Sequence, residues 1–395
     1  MLERYIMLSQ RIQALSPSMT IAITMLAAEL KAEGKDILSF SAGEPDFNTP
    51  QAIKDAAKAA IDDGFTKYTP VAGIPELLDT ISGKLLRDNG LTYDRSQIIV
   101  SNGAKQSLFN LTQTLIDAGD EVIIPAPYWV TYPELVKYAG GTPVIINTND
   151  RAGFKITAAQ LKSAITPRTK MLILTTPSNP TGAVYSKTEL QALAEVLQGT
   201  KVIVASDEMY EKLVFGDTTF TSVASISEDM YQRTITINGL SKAVAMTGWR
   251  FGYLASASKE LISKMTSLQS QSTSNINSIT QKAAITALDG TVDEEVETMR
   301  QAFESRSIEA TKLFNEIEGL SVAQPHGAFY LFINIQDLTD DSMQFSTDLL
   351  AEYGVAVVPG VAFGAEGYFR FSYATDMVTI KEGIRRIAKF VKKYQ

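Results

Sequence analysis

The sequence predicts an α/β protein: a large domain on a mainly parallel, seven-stranded sheet flanked by helices, with a smaller α+β domain beside it. Three observations carry this reading. Seven short runs rich in Ile and Val fall between residues 98 and 254 without polar alternation, as strands covered on both faces require. Between them lie helical stretches with marked starts, of which Thr157-Ala158-Ala159-Gln160 and Ser186-Lys187-Thr188-Glu189 are capping-box patterns. After Gly290 the pattern changes to a long helix followed by separate strand-like runs, which marks a second unit.

In chain order, residues 1–12 read as an arm. An amphipathic helix over 22–32 and a short strand at Ile37-Leu38-Ser39-Phe40 lead into Ser41-Ala42-Gly43-Glu44-Pro45-Asp46-Phe47, where Gly43 lets backbone approach a ligand closely. Residues 13–44 are assigned with 291–395 to the small domain, and 45–290 to the large one. Thr49-Pro50 predicts a helix start, hydroxyl at the N-cap and proline at the first helical position, with the helix running to about Asp62. Tyr68 lies in the loop 64–70, either as packing or as a hydroxyl offered to a ligand. The seven strands are expected at 98–100, 122–124, 144–146, 171–174, 202–204, 235–237 and 251–254. In the small domain Thr291 is expected to cap a helix whose apolar stripe includes Val292, Val296, Met299, Phe303, Leu313 and Phe314. Strands follow at 327–333, 355–358 and 368–373, and a basic amphipathic helix over 380–393 closes the chain.

Composition narrows the chemistry. With 395 residues, 45% apolar and 20% charged, the chain is of ordinary globular make-up and long enough for an extensive core. A net charge of -8 argues against nucleic-acid binding through a general basic field, and leaves room for a local anion site. Without cysteine there are no disulfides, thiolate nucleophiles or zinc–cysteine sites. The one histidine, His326, stands between Pro325 and Gly327 in a turn, so triad catalysis and a histidine metal site are not expected. Met1-Leu2-Glu3-Arg4-Tyr5 lacks an export pattern, and the long uncharged segment 12–28 is too polar to span a bilayer. A cytoplasmic enzyme with neither membrane nor nucleic-acid partner is the expectation.

Ligands of an open α/β sheet sit beyond the carboxyl ends of its strands, so the residues there carry the functional reading. After the first strand, Ser101-Asn102-Gly103-Ala104-Lys105-Gln106 turns into a helix whose free amides suit a phosphate. After the second comes Trp129, a packing residue or a platform for a planar ligand. After the fourth, the proline-rich turn 175–182 holds the Asn179 amide. After the fifth come Asp207 and Tyr210, and an acid buried there is expected to meet a cation. After the sixth come Ser241, Lys242 and Arg250. A lysine is nucleophilic only when deprotonated, and apolar neighbours with Arg250 nearby would lower its pKa. Spacing alone equally allows a solvated lysine at a helix start. Together the strand ends offer an anion site, a planar aromatic, a fixed amide, a carboxylate, a tyrosine, a lysine and an arginine, which is the inventory for holding pyridoxal 5'-phosphate as a Schiff base.

Ser-Ala-Gly-Glu-Pro-Asp-Phe at 41–47, Ser-Asn-Pro-Thr-Gly at 178–182, Ser-Asp-Glu-Met-Tyr-Glu at 206–211 and Ser-Lys-Ala-Val-Ala-Met-Thr-Gly-Trp-Arg at 241–250 occur in one family's order and spacing. Over essentially its whole length the chain resembles the class I aminotransferases of the fold-type I pyridoxal-phosphate enzymes, closest to the bacterial subgroup of aspartate aminotransferases. The resemblance implies that Lys242 carries the cofactor and transfers the substrate proton, that Asp207 pairs with the ring nitrogen, and that Asn179 and Tyr210 bind the ring oxygen under a stacked Trp129. It implies phosphate contacts from Gly103, Ala104, Lys105, Ser241 and Arg250, with Tyr68 reaching the site of a neighbouring subunit in a homodimer. It implies that Arg370 and Gly43 hold the substrate α-carboxylate, and that Lys105, with hydroxyls at Ser18 and Thr20, binds the distal one. The cross-subunit arginine used by animal-type relatives has no counterpart in 270–275. The implied reaction moves the amino group of aspartate or glutamate to a 2-oxo acid. Aromatic or prephenate transamination, a C–S lyase on the same fold, and a non-catalytic binding module are the alternatives.

Overall fold

The computed structural model describes residues 7–394, so half of the expected 1–12 arm lies outside the described residues. The strands are β1 (Leu38–Ser39), β2 (Ile98–Asn102), β3 (Glu121–Ala126), β4 (Thr142–Asn147), β5 (Thr169–Thr175), β6 (Ile203–Asp207), β7 (Thr234–Gly239), β8 (Phe251–Ser256), β9 (Tyr330–Asn334), β10 (Val355–Ala356), β11 (Val358–Pro359) and β12 (Tyr368–Ser372). Seven of them form one sheet in the order β2-β8-β7-β6-β5-β3-β4. Its neighbours run parallel except at β8, which is antiparallel to both β2 and β7. The reason is local: segment 240–250 is too short to cross back over the sheet with a helix, so the chain leaving β7 must return beside it in the opposite sense. That return places 240–250 at the carboxyl end of the parallel strands. It also brings the start of β8 to the end of β2, where Asn102 is opposite Phe251.

Strands β7 and β8 are buried throughout, as the unbroken apolar runs predict. Strand β4 differs. It is one of the sheet's two edges and is largely open to solvent, whereas the other edge, β2, is buried. Both capping boxes form: Thr157 starts the helix Ala158–Ala164 with Gln160 returning to it, and Ser186 starts Lys187–Leu197 with Glu189. Two expected caps do not form. The helix Gln51–Asp62 has Pro50 at its N-cap, and the Thr49 hydroxyl instead donates to the Ala245 carbonyl (2.8 Å) and accepts from the Trp249 indole (3.0 Å). The helix Asp293–Asn315 is preceded by Val292 rather than Thr291 and relies on Asp293, Glu294 and Glu295 in its first turn, where the helix dipole favours acids.

A second, antiparallel sheet has the order β11-β12-β9, and β1 pairs in parallel with β10. The expected single strand at 355–358 is therefore two, since Ala356 pairs with Ser39 whereas Val358 pairs with Arg370. The early helix is longer than its apolar pattern suggests, Met19–Ala32, and Met377–Tyr394 closes the chain. One apolar cluster runs from the large sheet, through Ile124, Ile173 and Leu254, to Phe329, Phe369 and Phe371 of the second sheet.

The helix Ala104–Leu115 begins against β8 at Gly252, where an added Cβ would overlap the backbone of Gly103 and Ala104. Backbone on both sides leaves nothing to move aside. Gly252→Ala is expected to lower stability by roughly 2 kcal/mol in urea unfolding, and a change below about 0.5 kcal/mol would show that the helix start can shift.

Candidate active site

The carboxyl ends of β2, β5, β6 and β7 open onto a cavity of about 470 Å³, closed on the far side by Gly43, Tyr330 and Arg370 and at its mouth by the helix Met19–Ala32. Lys242 reaches into it from the 240–250 segment. Two non-glycine residues of that segment, Ala245 (φ 51°) and Arg250 (φ 56°), hold left-handed backbone. Strain of this kind persists only when the surroundings over-determine it, and here Thr49 ties Ala245 to Trp249.

The Lys242 amine donates to the Gly43 carbonyl. Its pKa falls from 10.5 to about 8, first through burial, then through the charge of Arg370, with Glu44 opposing and Arg250 contributing less. Arg250 lowers it as expected, but Arg370, distant in sequence, acts more strongly. Arg250 is exposed and donates to the carbonyls of Thr247 (3.0 Å) and Asn102 (3.4 Å). A Cβ on Gly103 would come within 2.7 Å of its guanidinium, so glycine supplies the clearance and the positive φ of 80° at that helix start. The Gly103 amide is already spent on the Ser101 carbonyl (2.7 Å), which corrects its expected place among open donors. The amides of Ala104 and Lys105 have no acceptor among the described residues and face the cavity at an uncapped helix N-terminus. Ser241 lines the same wall.

Asp207 ends β6 buried, and no cation among the described residues forms an ion pair with it. Its carboxylate accepts from the Tyr132 hydroxyl (2.6 Å) and the Met209 amide (3.3 Å), while burial raises its pKa. The next residue, Glu208, is buried on the other side of the strand. One of its oxygens accepts from Ser206, Ser222 and the Val223 amide, and burial followed by Glu211 lifts its pKa to about 7. Asn179 accepts from Arg370 (2.9 Å), whose other terminal nitrogen donates to the Ser41 carbonyl (2.7 Å). The Arg370 Nε is buried without a partner. Tyr210 and Tyr330 share a hydrogen bond of 2.9 Å between their hydroxyls.

Trp129 lines the cavity edge-on to Tyr132, and the Lys105 ammonium lies 4.9 Å from its ring centre. Burial and then Arg250 pull the Lys105 pKa below that of an ordinary lysine. Thr20 lines the mouth, whereas Ser18 stands behind it at 2.9 Å, hydroxyl to hydroxyl. Tyr68 is 91% exposed and away from this cavity. Sequence reasoning missed Tyr132, Tyr330 and Thr24, each of which reads as ordinary packing until the fold brings it to the cavity.

The charge balance of the cavity is lopsided. Lys105, Lys242, Arg250 and Arg370 all line it, and none of the four is in an ion pair among the described residues, although exposed lysines and arginines elsewhere are commonly paired. The carboxylates on its wall are Asp207 and Glu44. Such a site suits a small ligand bearing several negative charges next to a nucleophilic amine. Among the described residues no cluster of three acids or histidines could hold a metal, and no helix is long and apolar enough to cross a membrane.

Fold and site together define an α/β protein with a partly buried lysine in a small, cation-lined cavity. A family model described as aminotransferase class I and II matches residues 35–387, and the chain belongs to that family. An aspartate aminotransferase of Geobacillus stearothermophilus is 50% identical over 393 residues, covering 98% of this chain and 99% of that one. An aspartate/prephenate aminotransferase of Cereibacter sphaeroides is 50% identical over 395 residues, covering 97% and 98%. Among solved structures, the aspartate aminotransferase of Rhizobium meliloti matches with a TM-score of 0.94 at 41% identity over 98% of this chain and 99% of that one. That of Thermus thermophilus with maleate matches with 0.94 at 42% over 98% and 100%.

Because only the neutral amine attacks a carbonyl, the lowered pKa has a direct readout. Reductive trapping of the cofactor-free protein with a small aldehyde is expected to label Lys242 ahead of other lysines, rising with pH through about 8. Mass spectrometry across a pH series checks this; labelling that rises only near 10.5 would place the amine in an unperturbed setting.

Proposed function

We infer that this aminotransferase uses pyridoxal 5'-phosphate and transfers the amino group of aspartate or glutamate to a 2-oxo acid. The observation that carries the reading is the set of four cations around one cavity beside a buried Asp207, none of the five in an ion pair among the described residues. A phosphate and two carboxylates would satisfy the cations, and a protonated ring nitrogen would satisfy the acid. The residues fit the cofactor. The open amides of Ala104 and Lys105, with Ser241 and Arg250, would hold its phosphate, and Gly103 gives the clearance. Asp207 would meet the ring nitrogen, Asn179 and Tyr210 the ring oxygen, Trp129 the ring face, and Lys242 the reactive carbon.

When bound, the cofactor supplies a carbonyl that exchanges amino groups and a ring that withdraws electrons from the substrate Cα. The remaining tasks fall to the chain. Arg370 grips the α-carboxylate as a planar fork, its Nε being unspent, with Gly43 beside it. Lys242, neutral above about pH 8, takes and returns the proton at Cα. Lys105, with Thr20 and Ser18 behind it, holds the distal carboxylate. A small domain of 13–44 and 291–395 closes on 45–290 through Arg370 and excludes water. Tyr68, so exposed here, reaches the site of a second subunit in a homodimer, and the enzyme works in the cytoplasm.

An aromatic or prephenate substrate has a specific observation in its favour. Ile21 and Met25, 54% and 57% exposed, line the mouth of the same cavity and offer apolar cover to a ring. The relative in Cereibacter sphaeroides is named for both substrates.

The deciding experiment is a spectroscopic half-reaction. Holoenzyme is expected to lose its cofactor absorbance with aspartate or glutamate and regain it with 2-oxoglutarate. Pyruvate and ammonia released from a cysteine conjugate without any 2-oxo acid would favour a lyase. Arg370→Ala is expected to lower kcat/KM for every amino donor by roughly a hundredfold, as loss of a buried bidentate charge contact costs about 3 kcal/mol; an unchanged KM argues against its role. Lys105→Met should cost aspartate about tenfold in kcat/KM while leaving phenylalanine within about twofold, and an equal loss for both would remove Lys105 from distal-carboxylate recognition.

A further inference from the structure

We propose that Glu44 is a specificity-determining residue of this cavity: its carboxylate receives the ammonium of an incoming 2-amino acid and disfavours anions of the same shape that lack one. The inference rests on the proposed function, since it concerns how the amino donor is told apart from other dicarboxylates.

The cavity wall carries two acids, Asp207 and Glu44. Asp207 is buried and held by Tyr132 and the Met209 amide, whereas Glu44 is exposed and within reach of a group arriving from solvent. Among the described residues the Glu44 side chain makes one hydrogen bond, accepting from the Thr247 hydroxyl at 2.9 Å, and it is in no ion pair. Thr247 belongs to the 240–250 segment that carries Lys242, so this carboxylate is tied to the same turn as the amine.

The contacts along residues 41–44 follow the order of the groups on a 2-amino acid. The Ser41 carbonyl accepts from Arg370 (2.7 Å), the arginine assigned to the α-carboxylate. The Gly43 carbonyl accepts from the Lys242 amine, and Glu44 is the next residue. The donor nitrogen has to arrive beside Lys242, because that is the amine it displaces, and it arrives as a cation. Lys105, Lys242, Arg250 and Arg370 all line the place. By themselves they repel that ammonium and attract any dianion, so they do not separate aspartate from succinate. One fixed carboxylate shifts both terms of the comparison, attracting the ammonium and repelling the dianion without it. The charge of Glu44 acts at this point, since it opposes Arg370 in the field at Lys242. At an exposed site such an interaction is worth roughly a few-fold in affinity and is screened by salt.

The test uses one resting form of the holoenzyme and two ligands. Measured are the aspartate concentration giving half the maximal rate of the half-reaction, and the dissociation constant of succinate, which is aspartate without its amino group. For Glu44→Gln at low ionic strength the aspartate value is expected to rise about threefold while the succinate value stays level or falls. In about 1 M salt most of that difference should vanish. Glu44→Asp keeps the charge and is expected to hold the ratio of the two values within about twofold of wild type. In cofactor-free protein, Glu44→Gln is expected to move aldehyde trapping of Lys242 to lower pH by roughly 0.3 unit, because Arg370, Arg250 and Asp207 then face the amine without Glu44. Equal changes for aspartate and succinate, an unmoved ratio, unmoved trapping, or a Glu44→Asp protein that behaves like Glu44→Gln overturns the inference and leaves the proposed function standing. A wild-type holoenzyme that reacts with no amino donor overturns both.

Discussion

The constraint on which this structure depends is electrostatic: four cations are held around one cavity without carboxylate partners, in a chain whose net charge is negative. Elsewhere the same side chains are paired as usual, Arg300 between Glu297 and Glu304, Arg386 between Asp36 and Glu382. Pairs at the surface of that kind, with one partner open to solvent, add little to stability. The partnerless ones cost stability, and the fold supports Lys242, Arg250 and Arg370 through neutral acceptors, the Gly43, Ser41, Asn102 and Thr247 carbonyls and the Asn179 amide, and Lys105 through the face of Trp129. Neutral acceptors orient a cation without cancelling its charge, and an oriented, uncancelled charge is what an anionic substrate needs.

The backbone that delivers these groups follows from one topological necessity. A chain that leaves a parallel strand and cannot cross back must return antiparallel, and segment 240–250 is the return. Its tightness produces the left-handed residues Ala245 and Arg250, and it brings Arg250 alongside Gly103 at the end of β2. Gly252 then lets the helix after β2 start directly against β8. Three features of the site, the lysine, the arginine and the open helix amides, thus depend on a single turn. Thr49, arriving from outside the turn, holds it by two hydrogen bonds.

Much of this is legible in the chain. The seven strands of the large sheet announce themselves through Ile and Val runs, and the strand ends hold Asn179, Asp207, Tyr210 and Lys242 where an open sheet places its ligand. What the chain conceals is direction and distance. Nothing in the run 251–254 distinguishes a parallel strand from an antiparallel one, and nothing in 142–147 marks it as the edge, because both depend on partners elsewhere. The same reason hides Arg370 as the main charge acting on Lys242, 128 residues away by subtraction of their numbers. Local proximity pointed to Arg250 instead. Thr49 and Thr291 show a different failure, in which a residue suited to capping is not used as a cap: the Thr49 hydroxyl is committed to a long-range contact, and Val292 precedes the helix after Thr291.

The lowered pKa of Lys242 ties these features together as a matter of linkage. Its folded pKa of about 8 lies below the 10.5 of the unfolded chain, so between those values the unfolded state binds more protons and stability rises with pH. Below about pH 8 the folded protein carries the full cost of a desolvated ammonium facing Arg370. That cost is the counterpart of reactivity, since the field that disfavours the ammonium keeps the amine available. Anions bound among Arg370, Arg250 and Lys105 would relax the field, since a ligand that binds only the folded state stabilises it by mass action. Tight packing alone would have favoured replacing these charges with apolar side chains. Retaining them leaves the unliganded site short of its stability optimum, a shortfall that anions bound there would recover.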